Sequence, residues 1–326
     1  MAHPPTEPFH RILVLCGTGT LGSAITTALL NSNKFTQIGI LSSPRTSPRK
    51  SALLNHFESL GATLHTADLL DIPSLTPIFQ FYSVILSCVP SSLISHQQAL
   101  IDLAISYQVQ RFYPSDYGAD WVSDPLLGAL SPYYIPKAQI HNYILDKAGK
   151  GLISYTSMAT GPFGEVVIMP INEVAMQGID VNDGKAKVLG DGSKKVGFTT
   201  LADIGKAVVA TLLNPSLSHN KVVRFTSFTA SFRSIINTYA KFTGKDFKVD
   251  TVGSVELTQK MEKAIEEGDD EKEALVDVMA AIFERGQGLV VDDGLFPDVP
   301  RQTMEELILG RLEREGIPLR IGDQGL

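Results

Sequence analysis

The chain has 326 residues, 44% of them hydrophobic and 19% charged, with a formal net charge of −7. That length suits one large domain or two modest ones, and the acidic balance argues against a general nucleic-acid binder, which needs a basic face against phosphate. No window approaches the roughly 18 to 20 consecutive apolar residues of a membrane span, and two cysteines, Cys16 and Cys88, are too few for a disulfide framework or a structural zinc site.

The N-terminal MAHPPTEPFH has no charged start followed by an apolar run, so it reads as a short loose tail and not as a secretory signal. A reducing, cytoplasmic setting is then expected, with both thiols free. RILVLCG reads as a buried strand and LGSAITTALLNS as the helix after it. QIGILSS is a second strand, followed by a helix over RKSALLNHFESLG that Gly61 closes. ATLHTADL is a third strand, SLTPIFQFY a short helix and SVILSCVP a fourth strand. SLISHQQALIDLAISYQV has helical spacing, RFYPS is a fifth strand, KAQIHNYILDKAG a helix and GLISYTSMA a sixth strand. Such alternation implies an α/β fold, a doubly wound parallel sheet with helices on both faces.

After about residue 160 the alternation loosens. VLGDGSKKVGF reads as a hairpin with its turn at Asp191-Gly192. LADIGKAVVATLLNP is a helix stopped by Pro215, and KVVRFTS returns to the main sheet. The acidic stretch from Glu262 to Met279 reads as a solvated helix face. The expected organisation is a nucleotide-binding domain over 1–160 and a smaller, helix-rich C-terminal substrate lobe over 161–326, with part of it, near 221–228, joining the main sheet. The seven histidines have no metal-ligand spacing, so no metal is expected.

Gly17, Gly19 and Gly22 spell G-x-G-x-x-G between the first strand and the first helix, the context in which this spacing has meaning. The first glycine permits the tight turn, the second lets backbone approach a pyrophosphate, and the third lets the helix pack on the strand. The helix start then offers unpaired N–H groups and a positive dipole end to phosphate. The turn Gly17-Thr18-Gly19-Thr20-Leu21-Gly22 is therefore expected to hold a dinucleotide. An NAD site carries an acidic residue after the second strand; here ILSSPRTSPRK has no carboxylate before Glu58. Ser43, Arg45, Arg49 and Lys50 stand there instead, and guanidinium and ammonium groups suit a 2′-phosphate. NADP(H) is the expected cofactor, with Cys88 and Val89, ending the fourth strand, beneath it. Because strands one and four are neighbours in the usual order, Cys16 and Cys88 can lie close together.

From RFYPSDYG and YYIPKAQIHNYI onward, the whole chain resembles the NmrA-like, isoflavone-reductase-like branch of the atypical short-chain dehydrogenases. The likeness rests on the GTGTLG turn, PSDYG where plant members have PSEFG, the lysine of PKAQI, the GDGSKKVGFTTLADIGKAV segment and FPDVPRQTMEEL near the C-terminus. It implies a Rossmann-type NADPH domain with a smaller substrate lobe, and reduction of a small aromatic or polyketide-like metabolite. The family's catalytic lysine matches Lys137, which serves as a base on a phenol or positions a proton donor while nicotinamide delivers hydride, and which is also expected to touch the cofactor; the alternative for Lys137 is a plain surface lysine.

His141 lies one helical turn beyond Lys137, where plant members carry a basic residue. It can exchange protons with substrate or be a packed histidine. Tyr133 and Lys137 spell the Y-x-x-x-K of typical short-chain dehydrogenases, but Pro136 belongs in a helix's first turn, which puts Tyr133 in the preceding loop. Tyr133 or Tyr134 can still reach the pocket as a phenolic donor. Ser115 and Asp116, just past the fifth strand, either shape the cofactor site or cap the loop. Thr160 and Phe163 are expected beside the nicotinamide. The partner is a small-molecule substrate, with no nucleic acid and no membrane, and a homodimer is allowed. Two other functions stay open: a non-catalytic NADP(H)-sensing regulator, and a non-redox isomerase or dehydratase using Lys137 and His141.

Overall fold

The run RILVL is apolar on both sides of its pleat, and it becomes a central parallel strand buried on both faces. The computed structural model describes residues 7–171 and 177–320. Its first half alternates β1 (Arg11–Leu15), α1 (Thr20–Ser32), β2 (Gln37–Ser42), α2 (Ser51–Ser59), β3 (Thr63–Thr66), α3 (Ile72–Phe79), β4 (Val84–Ser87), α4 (Gln97–Ser106) and β5 (Arg111–Tyr113). Then come α5 (Pro125–Leu130), α6 (Ile135–Gly149) and β6 (Ser154–Ala159). The second half contains β7 (Gly178–Asp180), β8 (Lys185–Leu189), β9 (Val196–Phe198), α7 (Leu201–Leu213), β10 (Lys221–Arg224), β11 (Phe228–Ala230) and α8 (Phe232–Thr243). It closes with β12 (Lys248–Val252), α9 (Ser254–Glu267), α10 (Asp270–Met279) and α11 (Met304–Arg314).

The main sheet runs β10-β6-β5-β4-β1-β2-β3, every pair parallel. Successive β1 side chains point to opposite faces. Ile12 and Val14 join Ile25 and Leu29 of α1 and Ile204, Val208 and Leu212 of α7. Leu13 and Leu15 join Leu75 of α3, Leu100 and Ile101 of α4 and Ile140 and Ile144 of α6. A third core fills the second half, around Phe198, Phe232, Tyr239 and Phe283. α7 packs so closely on α1 that a Cβ on Gly205 would lie 2.7 Å from the Cβ of Ala28. KVVRFTS does return to the main sheet, as β10 beside β6.

Three expectations need correction. VLGDGSKKVGF is no hairpin: β8 pairs with β7 and β12, whereas β9 pairs antiparallel with β11. Gly190 and Gly192 both take left-handed backbone, at φ 59° and 69°. Gly190 N–H donates to Val252 of β12, and Gly192 O accepts from Arg233 at the start of α8, so the segment turns a corner between two small sheets. The acidic stretch is broken by Gly268 into α9 and α10, and Val276 to Met279 are buried, so only its earlier part is a solvated face. The loose tail also ends sooner than expected. Residues 1–6 of it lie outside the described residues, but Phe9 is buried, donates its N–H to Leu212 and lies under the Arg111 guanidinium at 4.9 Å.

Arg111 is fully buried at the base of β5. It donates to Ser154, Thr156, Pro215 O, Ser218 and His219, which ties the loop before β10 to the sheet. Asp203 of α7, also fully buried, accepts from Ser227 Oγ at 2.5 Å, Gln302 N–H at 2.7 Å and Lys206 at 2.7 Å. It holds β11's approach and the segment before α11 against α7. Asp203→Ala should cost about 2–3 kcal/mol, because it orphans Ser227 and the Gln302 amide while Lys206 can rehydrate. Urea unfolding checks this, and a loss near zero would mean that those donors find other acceptors.

Candidate active site

Ligands of open α/β sheets bind outside the carboxyl ends of the strands, and the candidate residues gather there, at the ends of β1, β4 and β5. Cys16 takes left-handed backbone at φ 56°, and Gly19 N–H closes the turn on Cys16 O at 2.9 Å. A Cβ on Gly22 would meet Cys16 O at 2.2 Å and the Cα of Gly17 at 2.9 Å, so the third glycine is required by the turn itself. Gly19 is the extended N-cap of α1. The N–H groups of Thr20, Leu21 and Gly22 follow it with no carbonyl one turn earlier to bond. Thr18 is buried, its hydroxyl 3.4 Å from that of Ser42 at the end of β2. Ser43 then receives the Thr46 N–H, and Arg45, Arg49 and Lys50 stand exposed around the short turn Ser47–Lys50. Backbone donors, a helix N-terminus and three exposed cations are groups able to hold phosphate.

The next residues continue this row. Cys88 N–H donates to Leu15 O, and burial pushes the Cys16 thiol up to about 11 and the Cys88 thiol higher still, with Cys16 adding to the latter. Both are neutral, free thiols close together. Val89 is buried and its carbonyl accepts from Ser115 Oγ at 2.9 Å, while Ser115 N–H donates to Gln97 Oε1 at 2.9 Å. Tyr117 is buried against Cys88 and Asp116, its hydroxyl without a partner among the described residues.

Lys137 sits in the first turn of α6, after Pro136, with Tyr134 as N-cap and Tyr133 in the loop before it. The Y-x-x-x-K spacing therefore does not describe one helix face. Both tyrosines still matter: the Lys137 ammonium lies 4.8 Å from the Tyr133 ring centre and 5.5 Å from that of Tyr134, in the corner of two rings set edge to face. Lys137 is 6% exposed, so it is not a surface lysine. Tyr134 OH accepts from Ala119 N–H at 3.2 Å.

Asp116 is buried beside this lysine. Its Oδ1 accepts from the Trp121 indole at 2.7 Å, and burial raises its carboxyl to about 6 against the lowering effect of Lys137, Trp121 and Ser157. His141 is buried one turn behind Lys137, edge-on to Trp121 and Tyr155, its Nδ1 3.4 Å from Ser157 Oγ. Burial lowers it to about 4, so the ring is neutral at physiological pH. Thr160 is fully buried, with its N–H on Gly118 O, and Phe163 is half-buried on the α1–α7 side, bridged to Thr199.

Sequence reading missed Trp121, Ser157, Tyr117 and Gln97. The lone tryptophan three residues past PSDYG was the one visible signal besides Tyr117, which lies within PSDYG itself; Gln97 of α4 and Ser157 of β6 come from elements that only the fold brings together. A groove of about 670 Å³ lies elsewhere, between the outer faces of α1 and α7 and the segment 295–300, and none of the site residues lines it.

Comparison with known proteins agrees with this geometry. Oxidoreductase aprR of Aspergillus flavus is 31% identical over 248 residues, 76% of this chain and 78% of that protein. The isoflavone reductase homolog IRL of Zea mays is 28% identical over 310 residues, 91% of this chain and 97% of that protein. The structure of AtPrR2 with NADP+ and (+)-pinoresinol superposes with a TM-score of 0.75 over 93% of this chain and 98% of that one, at 24% identity, a likeness of fold. The model of the NmrA-like family matches residues 8–288, a span that takes in the glycine turn, Asp116, Lys137 and the last strand of the main sheet. A match running through so much of the chain means that this protein belongs to the NmrA-like family.

Proposed function

We propose that this protein is an NADPH-dependent reductase of a small aromatic secondary metabolite, with Lys137 as the proton-transfer residue. The observation that carries it is the row of residues at the carboxyl ends of β1, β4 and β5: the glycine turn after Leu15, Cys88 with its N–H on Leu15 O, Val89 with its carbonyl on Ser115, and Gly118, whose Cβ position lies 3.9 Å from the Lys137 ammonium. A dinucleotide held at the turn extends along the strand ends toward that lysine. The relatives named above are an oxidoreductase and an isoflavone reductase homolog, and AtPrR2, similar in fold, holds NADP+ and (+)-pinoresinol.

Bound NADPH supplies the hydride. The chain's own residues do the rest. The α1 N-terminus and the turn fix the pyrophosphate, and Arg45, Arg49 and Lys50 hold the 2′-phosphate. The rings of Tyr133 and Tyr134 fix the ammonium of Lys137, which gives a proton to, or takes one from, a substrate oxygen. His141, neutral and enclosed, acts from behind the site by packing Trp121. Tyr133 serves as a wall of the lysine's corner, and Thr160 shapes the floor beneath. The domain boundary near residue 160 belongs to the same proposal: cofactor on the first half, substrate against the second.

The test uses NADPH deuterated at C4 on each face in turn, incubated with the protein, (+)-pinoresinol and a phenolic extract of the source organism. The expected result is one product one mass unit heavier, from one face only. Tight NADPH binding with no label in any product from either face would overturn the reductase reading and leave the sensor or the non-redox catalyst.

A further inference from the structure

Behind Lys137 lies a set of buried polar groups that the proton-transfer step above does not use. Asp116 leaves the end of β5, Trp121 comes from the loop that follows, Ser157 from β6 and His141 from α6. All four are buried, at 6% exposure or less. The indole N–H ends on Asp116 Oδ1, the Ser157 hydroxyl supports the same carboxylate, and Ser157 also meets His141 Nδ1. A carboxylate taken out of water on this scale is costly unless it is bonded and faces a cation. Indole and hydroxyl supply the bonds, and Lys137, whose ammonium lies 3.9 Å from the Cβ position of Gly118 on the Asp116 loop, supplies the charge.

The remaining ionisable groups around Asp116 do not compete for that role. Asp120, on the same loop, works against its ionisation but is itself paired with Arg224 at 2.6 Å. Tyr117 and Tyr134 are buried phenols pushed up by burial, and so stay neutral. His141 is neutral as well. Among the described residues, Lys137 is the cation whose charge favours this carboxylate.

We propose that Asp116 is the positioning residue of this site: clamped by Trp121 and Ser157, its carboxylate holds the Lys137 ammonium in its aromatic corner, and protonation of Asp116 releases that hold. The role in turnover rests on the reductase reading, but the coupling between the two residues exists without any substrate. Trp121 is the reporter, because the chain has one tryptophan and its indole N–H ends on the carboxylate in question.

The experiment follows the single indole ¹H–¹⁵N resonance of the full-length protein, with NADPH as the only added ligand, between about pH 5 and about pH 8, the range that brackets the shifted carboxyl. The expected midpoint is near 6. Lys137→Met removes the stabilising cation and should move the midpoint upward, Asp116→Asn should flatten the titration, and Asp116→Glu should restore it. His141 titrates lower, near 4, and stays outside the window. With the labelled product of the deuteride experiment as substrate, Asp116→Asn should lower kcat about tenfold or more and remove the acid limb of its pH profile, with the affinity for NADPH kept.

A flat wild-type indole, or a midpoint indifferent to Lys137→Met, would overturn the proposal. Should Asp116→Asn fail to fold, the Lys137→Met arm still decides it. Failure of the deuteride experiment would remove the reductase reading and leave this titration untouched.

Discussion

Lys137→Ala is expected to lower the single-turnover rate of reduction by about 10²- to 10⁴-fold, the contribution typical of a positioned proton-transfer group. Binding of NADPH should stay within a factor of about three, since the lysine acts after the dinucleotide is seated. The size of the effect follows from the lysine's surroundings. It is held in the first turn of α6 at 6% exposure, against two tyrosine rings. Across from it, Gly118 has no side chain, and a Cβ there would lie 3.9 Å from the ammonium. Water entering the space left by alanine cannot be positioned by that corner. Lys137→Met separates chemistry from packing, because it keeps most of the volume and loses the proton. A methionine variant with full rate would mean that the lysine only fills space.

Gly22→Ala is expected to raise the dissociation constant for NADPH about 100-fold, near 3 kcal/mol. Its added Cβ would collide with Cys16 O and Gly17 Cα, both backbone atoms of the turn, and neither can rotate aside as a side chain would. The turn must open, and with it go the donors at the start of α1. Gly149→Ala is the matched control, at the end of α6 with nothing within 4 Å of the new Cβ. It should leave binding unchanged and stabilise the helix by a few tenths up to about 1 kcal/mol. Quenching or transfer of NADPH fluorescence reads both variants. Wild-type affinity in Gly22→Ala would mean that the phosphates lie elsewhere.

How much of this was legible beforehand depended on the range of the interactions. The glycine turn could be read because its contacts, from Cys16 to Gly22, are local. The central strands β1, β2 and β4 could be read because a strand buried on both faces must be largely apolar. Pro136 marked the start of α6 for a steric reason that needs no tertiary contact. Long-range pairing was not legible. Asp191-Gly192 has the composition of a hairpin turn, and only the ladder between β8 and β12, which begins at Lys248, shows that the flanking strands part company. Asp116 reads in the sequence as a residue that either shapes the cofactor site or caps the loop at a strand end. Its role depends on Ser157 and Lys137, each from a different element, and on an indole whose direction no spacing reveals.

The last strand of the main sheet has a consequence for synthesis. β6 is translated well before β10, and until Arg224 has emerged from the ribosome the outer edge of β6 has unpaired N–H and C=O groups. Over the same interval Arg111 lacks Pro215 O, Ser218 and His219 as acceptors. A chain halted near residue 160 carries every residue of the proposed dinucleotide site, yet it has an open sheet edge and, without Ile204, Val208 and Leu212 of α7, uncovered apolar surface, the two features that draw nascent chains into aggregates. The cofactor-binding half is thus complete in sequence long before it is complete as a folding unit, and a vector encoding that half alone would yield inclusion bodies.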